Sequence, residues 1–387
     1  MDAKPNFTGM YKPPFISGSD RGSFAAFTLA ERFPHIIVQL IRENELDELQ
    51  VKELGRLREE ILYGNIPDDI DSNGVNAVYW TQFVGEYSGY SHYDVPFFVL
   101  ESYIYYRIAE ITRFDTDGLD VFLTSKLGNL DGNTGFIRRL VNRQAERLGV
   151  FSSTELRELL FAALWGNSSD LSQLSASKAS TKERFRNELL IDDSEALCRF
   201  IDVEAAGVQL NYIADNAGLE LLTDLLLMDY LLFHGKVPRV VLHVKIHPTF
   251  VSDAIRADIE HHLRFLEKMG DRNCLGFAGR IRSYLADSRL AVKTHGFWNT
   301  GMHFTKLPSD LKNSLEKGAM LLFKGDANYR RLFEDRMWPM TTPVGDVLNY
   351  LPEFRVAYIR TLKSEIMLGL DSEQIGHLNQ MDSNWLT

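Results

Sequence analysis

At roughly 150 residues per domain, a chain of 387 residues holds about two domains, and 45% hydrophobic against 25% charged residues excludes disorder as a global state. The 42 Lys and Arg against 53 Asp and Glu leave a net charge of −11, which excludes the basic footprint that nucleic-acid binding requires. The two cysteines, Cys198 and Cys274, are too far apart for a metal or redox pair and point to a reducing, cytoplasmic compartment.

The first half of the chain reads as helices. Residues 24–42 place Phe27, Leu29, Phe33, Ile36, Ile37 and Leu40 at helical spacing, and 46–62, 75–87, 96–111, 135–148 and 153–165 continue in that style. Ser153, with Glu155 and Glu158 behind it, marks a helix start. A Ser-rich stretch over 168–180 is the linker candidate. Beyond it the period changes. Apolar runs at 208–214, 239–244, 290–292, 319–323 and 356–359 predict strands. Helical patterns follow at 220–233, 253–269, 310–317 and 327–335, so the second half predicts βαβ units with a mostly parallel sheet covered on both faces. The division expected is a helical N-terminal domain over 1–180 and an α/β domain over 181–387. No signal-peptide pattern opens the chain, and no apolar run is expected to reach bilayer-spanning length. The nearest, 221–233, is interrupted by Asp224 and Asp229, so a soluble protein with no membrane partner is expected.

Parallel sheets bind ligands at the carboxyl ends of their strands. Those ends here carry Asp215-Asn216-Ala217-Gly218-Leu219-Glu220, then Ser252-Asp253, then Lys324-Gly325-Asp326-Ala327-Asn328-Tyr329-Arg330, then Arg360-Thr361-Leu362-Lys363. Asp215, Asn216 and Asp253 offer hard oxygen donors suited to Mg²⁺ or Mn²⁺. Lys363, Arg330 and helix N-terminal amides suit an anion such as phosphate. Together they suggest metal-assisted phosphoryl chemistry. Taken singly, each acid is also ordinary helix-cap or turn chemistry. The succession of four singles out this edge.

Other patterns lead elsewhere. His243 and His247 share no helical face and make no zinc pair. His261-His262 reads as part of a solvated helix. The loop from Asp115 to Asp120 lacks EF-hand spacing and reads as a turn. The chain contains no G-x-G triplet, P-loop or G-x-S-x-G elbow, which weighs against dinucleotide and glycine-rich methyl-donor sites.

These blocks, in this order, resemble the metal-dependent damage-control phosphatases, in the subfamily with an Arg-Thr-x-Lys signature that includes the acidic residue methyltransferase-like proteins. The resemblance spans nearly the whole chain. It starts at Gly22-Ser23-Phe24-Ala25 and Glu31-Arg32-Phe33-Pro34. It runs through Pro96-Phe97-Phe98-Val99-Leu100-Glu101-Ser102-Tyr103, where many relatives carry Trp at Phe97, and includes Phe250-Val251-Ser252-Asp253. Ala327 replaces the usual Leu, and the C-x-x-C pair of other subfamilies is absent.

The resemblance implies a helical region on a three-layer α/β domain. It implies Asp215, Asn216 and Asp253 as metal ligands, with Glu220, Asp326, Ala327, Asn328, Tyr329, Arg330 and Lys363 contacting substrate. The implied activity is hydrolysis of small phosphate monoesters, notably sugar phosphates such as fructose 1-phosphate, with Mn²⁺, Co²⁺, Ni²⁺ or Mg²⁺. Asp253, Asp326 and Lys363 are the expected catalytic residues, and water is favoured over a carboxylate such as Asp253 as nucleophile. Glu101 and Arg107 are candidates to line the cavity from the helical half, with an ion-pair role as the alternative. Two other readings stay open, an S-adenosylmethionine-dependent carboxyl methyltransferase and a non-catalytic sugar-phosphate binder. The expected partner is a small phosphorylated metabolite, and the sequence leaves the oligomeric state open.

Overall fold

Strands buried on both faces favour apolar side chains, and the five predicted runs form the strands of one sheet, the central three of them buried throughout. In the computed structural model, which describes residues 12–70, 76–166, 188–315, 320–351, 354–382 and 385–386, they are β1 (Leu210–Ile213), β2 (Val240–Val244), β3 (Leu290–Thr294), β4 (Met320–Lys324) and β5 (Arg355–Ile359). All neighbours pair in parallel, in the order β3-β2-β1-β4-β5. β1, β2 and β4 are buried throughout, while the edge strands β3 and β5 are partly exposed.

Side chains alternate between two cores. Leu210, Tyr212, Met320 and Leu322 face one, and Ile213, Leu321 and Phe323 face the other. The first core takes helices Leu123–Asp131, Thr134–Arg147, Ser153–Trp165, Ser194–Val203, Leu219–Phe233, Arg256–Lys268 and Arg272–Ala286. The second takes Phe24–Glu43, Glu48–Tyr63, Ala77–Tyr87, Phe97–Ile111 and Gly325–Leu332. The fold is therefore a three-layer α/β arrangement. Both cores mix residues from the first 165 positions with residues of the sheet. The linker expected at 168–180, and with it the domain boundary at 180, lies outside the described residues.

Leu219–Phe233 is buried along its length apart from its last residue. Its three acids are therefore held by partners, Glu220 by Asn216 and Lys324. Asp224 accepts from the Tyr212 hydroxyl at 2.6 Å, and Asp229 receives Arg280 in a two-pronged pair together with Gln144 Nε2 at 3.0 Å. Removing a partner from such a buried charge costs about 3–5 kcal/mol.

Three expectations change. Residues 24–43 form one continuous helical stretch with a π turn at Thr28–Arg32. By length and composition alone, its 20 residues at mean hydropathy 1.2 are enough to cross a membrane. Its apolar stripe of Phe33, Ile36, Ile37 and Leu40 is spent in the second core. The helix expected from Asp253 starts at Arg256, because residue 253 bridges back to Asn216. His262, expected on a solvated helix, is 2% exposed, since its face of Arg256–Lys268 packs on the Gly218 turn.

Candidate active site

The chain leaves β1 towards β2 and β3, then returns to place β4 on the other side of β1. The carboxyl ends of β1 and β4 thus flank the point where winding reverses, the place where open sheets leave a crevice. Asp215 follows β1, and Gly325-Asp326 follows β4. Gly325 has φ +80°, and a Cβ there would lie 2.0 Å from Asp215 Oδ2, so only glycine lets the two loops meet.

Asn216 joins the first loop to itself. Its Nδ2 donates to Asp215 Oδ2 and to Glu220 Oε2, both at 2.8 Å, and its Oδ1 accepts from the Ser252 hydroxyl. Backbone bonds from Ala217 N to Ser252 O (2.7 Å) and Ala254 N to Asp215 O (2.8 Å) tie this loop to the one carrying Asp253. Phe250 and Val251, just before, have φ of 50° and 68°. A β-branched residue in the left-handed region is a true outlier, held there by its surroundings. Neither Asp215 nor Asp253 caps a helix. The following helices start from Gly218 and Ile255, and Asp258 closes the second turn.

Asp215, Asn216, Glu220 and Asp253 are all at most 7% exposed. Burial raises the Asp215 pKa well above the usual carboxylate range, Glu220 and Asp253 add to the rise, and Lys363 and Lys324 oppose it. Burial likewise raises Asp253 to about 6, against the Lys245, Lys126 and Lys363 charges. Lys245 Nζ lies 3.3 Å from Asp253 Oδ2, and buried Lys324 pairs with Glu220 at 2.9 Å and Asp224 at 3.2 Å. Burial raises Asp224 to about 7, although Lys324 pulls it down. These buried lysines were missed as site residues. Their signal was a Lys ending a central apolar strand, a position tolerated only with an acid partner.

The structure brings together Asp215, Asn216, Glu220 and Asp253, and Lys363 acts electrostatically on both aspartates. Lys363 is exposed and has no hydrogen bond or ion pair among the described residues. Asp326 receives Arg360 Nε at 2.7 Å and the Ser364 hydroxyl at 3.1 Å. Asn328 Nδ2 donates to Ala214 O and Lys324 O, while its buried Oδ1 has no partner among the described residues. Ala327 is half-buried beside it. Tyr329 turns away, accepting from Leu368 N at 3.0 Å and packing on Tyr358. Arg330 is engaged by Glu101 at 2.7 Å and Asp335 at 2.8 Å. Arg107 sits apart with Glu60, Glu110 and Tyr103. Asp120, in the loop read as a turn, pairs with buried Lys126.

Among the described residues, no group of three or more His, Cys, Asp or Glu is arranged to hold a metal ion. A metal would rest on two carboxylates and one amide, Asp215, Asp253 and Asn216. The donor set fits a hard divalent cation. It is all oxygen, and it is buried among four acids (Asp215, Glu220, Asp224 and Asp253), with Lys245 and Lys324 paired to them and Lys126 acting on Asp253 from its own pairs with Asp120 and Asp258.

A three-layer α/β protein with buried acids at its winding reversal, and an exposed lysine within electrostatic reach of them that has no hydrogen bond or ion pair among the described residues, is the class that this geometry defines. The family described as "Damage-control phosphatase ARMT1-like domain" matches residues 28–378, and the chain belongs to that family. Phosphatase activity is what the family's description names. Among curated proteins, the chain is 28% identical to Damage-control phosphatase ARMT1 of Rattus norvegicus, 29% to that of Mus musculus and 28% to that of Homo sapiens. Each alignment covers 97% of this chain and 96% of the relative. Among solved structures, a DUF89 family protein from Pyrococcus horikoshii aligns at TM-score 0.48 and 15% identity, over 88% of this chain and 92% of that one.

Proposed function

We propose that this protein is a metal-dependent phosphomonoesterase acting on small sugar phosphates, fructose 1-phosphate among them, and that it works in the cytoplasm. One observation carries the reading. A buried acid cluster, in which burial first and then the Glu220 and Asp253 charges raise Asp215, stands beside an exposed cation with no hydrogen bond or ion pair among the described residues. The first calls for a cation and the second for an anion.

Asp215, Asn216 and Asp253 would hold Mn²⁺, Co²⁺, Ni²⁺ or Mg²⁺. When bound, such an ion supplies charge neutralisation at a phosphoryl oxygen and acidifies water. Lys363 binds the phosphate oxygens as a point charge. Asn328 Oδ1, buried and without a partner among the described residues, accepts from a sugar hydroxyl or from water. Asp326 is held by Arg360 and Ser364 and orients a sugar hydroxyl with its other oxygen. Arg330, already neutralised by Glu101 and Asp335, keeps the β4 helix docked to the helical half. Water is the better nucleophile than Asp253, whose carboxylate is 1% exposed and paired with Lys245.

The test is a panel of phosphate esters against several divalent metals, reading phosphate release beside methyl transfer from S-adenosylmethionine. Metal-dependent release from sugar phosphates is expected. Methyl transfer without release, or sugar-phosphate binding without turnover, would overturn the reading.

A further inference from the structure

One peptide plane, between Gly218 and Leu219, joins the Asp215–Asn216 loop to the helix that carries Glu220. The helix Leu219–Phe233 has Gly218 as its N-cap, at φ 67°, and so has no side chain of its own to cap it. The Leu219 amide donates instead to Asn129 Oδ1 at 2.8 Å, from Leu123–Asp131. On the other side of the plane, the Gly218 carbonyl oxygen lies 2.7 Å from His262 Nε2. The same imidazole is anchored through Nδ1, 2.6 Å from the Asp258 carbonyl oxygen. The amide of this peptide is therefore held by Asn129, and its carbonyl shares the single N–H of a neutral His262 ring with the Asp258 carbonyl.

The two arms are also tied to each other. Lys126, one turn before Asn129, pairs with Asp258 at 3.0 Å, one turn before His262. Fit is close as well, since a Cβ at Gly218 would meet Asn129 Oδ1 at 2.7 Å. Because Asn216 bonds to both Asp215 and Glu220, a rotation of this peptide would move all three side chains together.

We propose that Asn129 and His262 are positioning residues for the reaction. By clamping the Gly218–Leu219 peptide, they set the mutual placement of Asp215, Asn216 and Glu220. The proposal rests on the phosphatase reading, but its test separates the two.

The measurements are deuterium exchange at Leu219 in metal-free protein, Mn²⁺ titration by calorimetry, and kcat with KM on fructose 1-phosphate. Asn129 is exposed, so Asn129→Ala is expected to fold. It should speed exchange at Leu219, weaken Mn²⁺ roughly tenfold or more as outer partners of metal ligands do, and lower kcat more than it raises KM. Asn129→Asp, which keeps the acceptor, should restore all three. His262→Ala should resemble Asn129→Ala, and His262→Gln should recover. If His262→Ala does not fold, the Asn129 pair decides. Wild-type Mn²⁺ affinity and kcat in Asn129→Ala, or an Asn129→Asp as impaired as the alanine, would overturn the clamp. If the wild type takes up no Mn²⁺, the metal reading fails. The clamp is then judged on kcat in Asn129→Ala against Asn129→Asp.

Discussion

Lys363 and Asp215 lie within electrostatic reach of each other, yet the proposed chemistry gives them separable tasks. Asp215→Ala removes a donor oxygen and should abolish turnover and weaken metal binding. Lys363→Ala should leave metal affinity nearly intact, because an ammonium cannot be a ligand. It should lower kcat/KM by about tenfold or more, as expected for a lost charge-assisted hydrogen bond of roughly 1.5–3 kcal/mol. Calorimetric metal titration beside steady-state kinetics reads both, and equal loss of metal by the two variants would disprove the division. Asp224 offers a pH test away from the proposed ligands. Its pKa, raised by burial to about 7, means that the folded chain keeps a proton that the unfolded chain releases at about pH 4. Its contribution to stability is therefore present at low pH and is lost as pH rises through 7. Metal-free wild type should lose more Tm between pH 5 and 8 than Asp224→Asn, and an equal loss in both would show that Asp224 does not titrate there.

At the scale of elements, two loop conformations hold the acids. Gly325→Ala puts a methyl group into Asp215 at a left-handed φ, so it should cost about 1–3 kcal/mol of stability and most of the activity. Thermal melts and phosphate release check this, and an unchanged melting point would mean that the loops do not meet as described. Val251→Gly should act in the opposite sense on stability. Relieving a strained β-branched residue at φ 68° leaves Tm no lower, while the freed loop lets Asp253 wander and kcat/KM falls. A large drop in Tm would show that Val251 is held by packing rather than under strain. The elements were legible in the sequence to different degrees. The strands stood out because burial on two faces forces unbroken apolar runs. The helix Arg272–Ala286 went unread, although Cys274, Phe277, Ala278, Ile281 and Tyr284 form a buried stripe behind the Asp271 cap. Small and weakly apolar residues dilute such a stripe. His262 was misplaced because its helix is polar by composition, and only the Gly218 turn opposite makes that position interior.

At the scale of the whole molecule, the helical first half contributes to the site edge through Glu101 on Arg330, and through Phe98, whose ring lies parallel to Phe250 at 6.1 Å. The convergence of strand-end acids followed from parallel topology and was legible. The pairings were not. Glu101 and Arg330 are 229 positions apart, and nothing local distinguishes a helix lysine such as Lys126, buried against Asp120 and Asp258, from one that will be solvated. Shielding of the substrate from bulk water by this half is expected to raise the strength of every charge inside. The central claim is that buried oxygen donors at the winding reversal bind a divalent ion that the reaction needs. The most direct measurement is phosphate release from fructose 1-phosphate by protein dialysed free of metal, in excess chelator and after Mn²⁺ is restored. The account predicts no release in chelator and recovery with Mn²⁺. Undiminished release in chelator would contradict it.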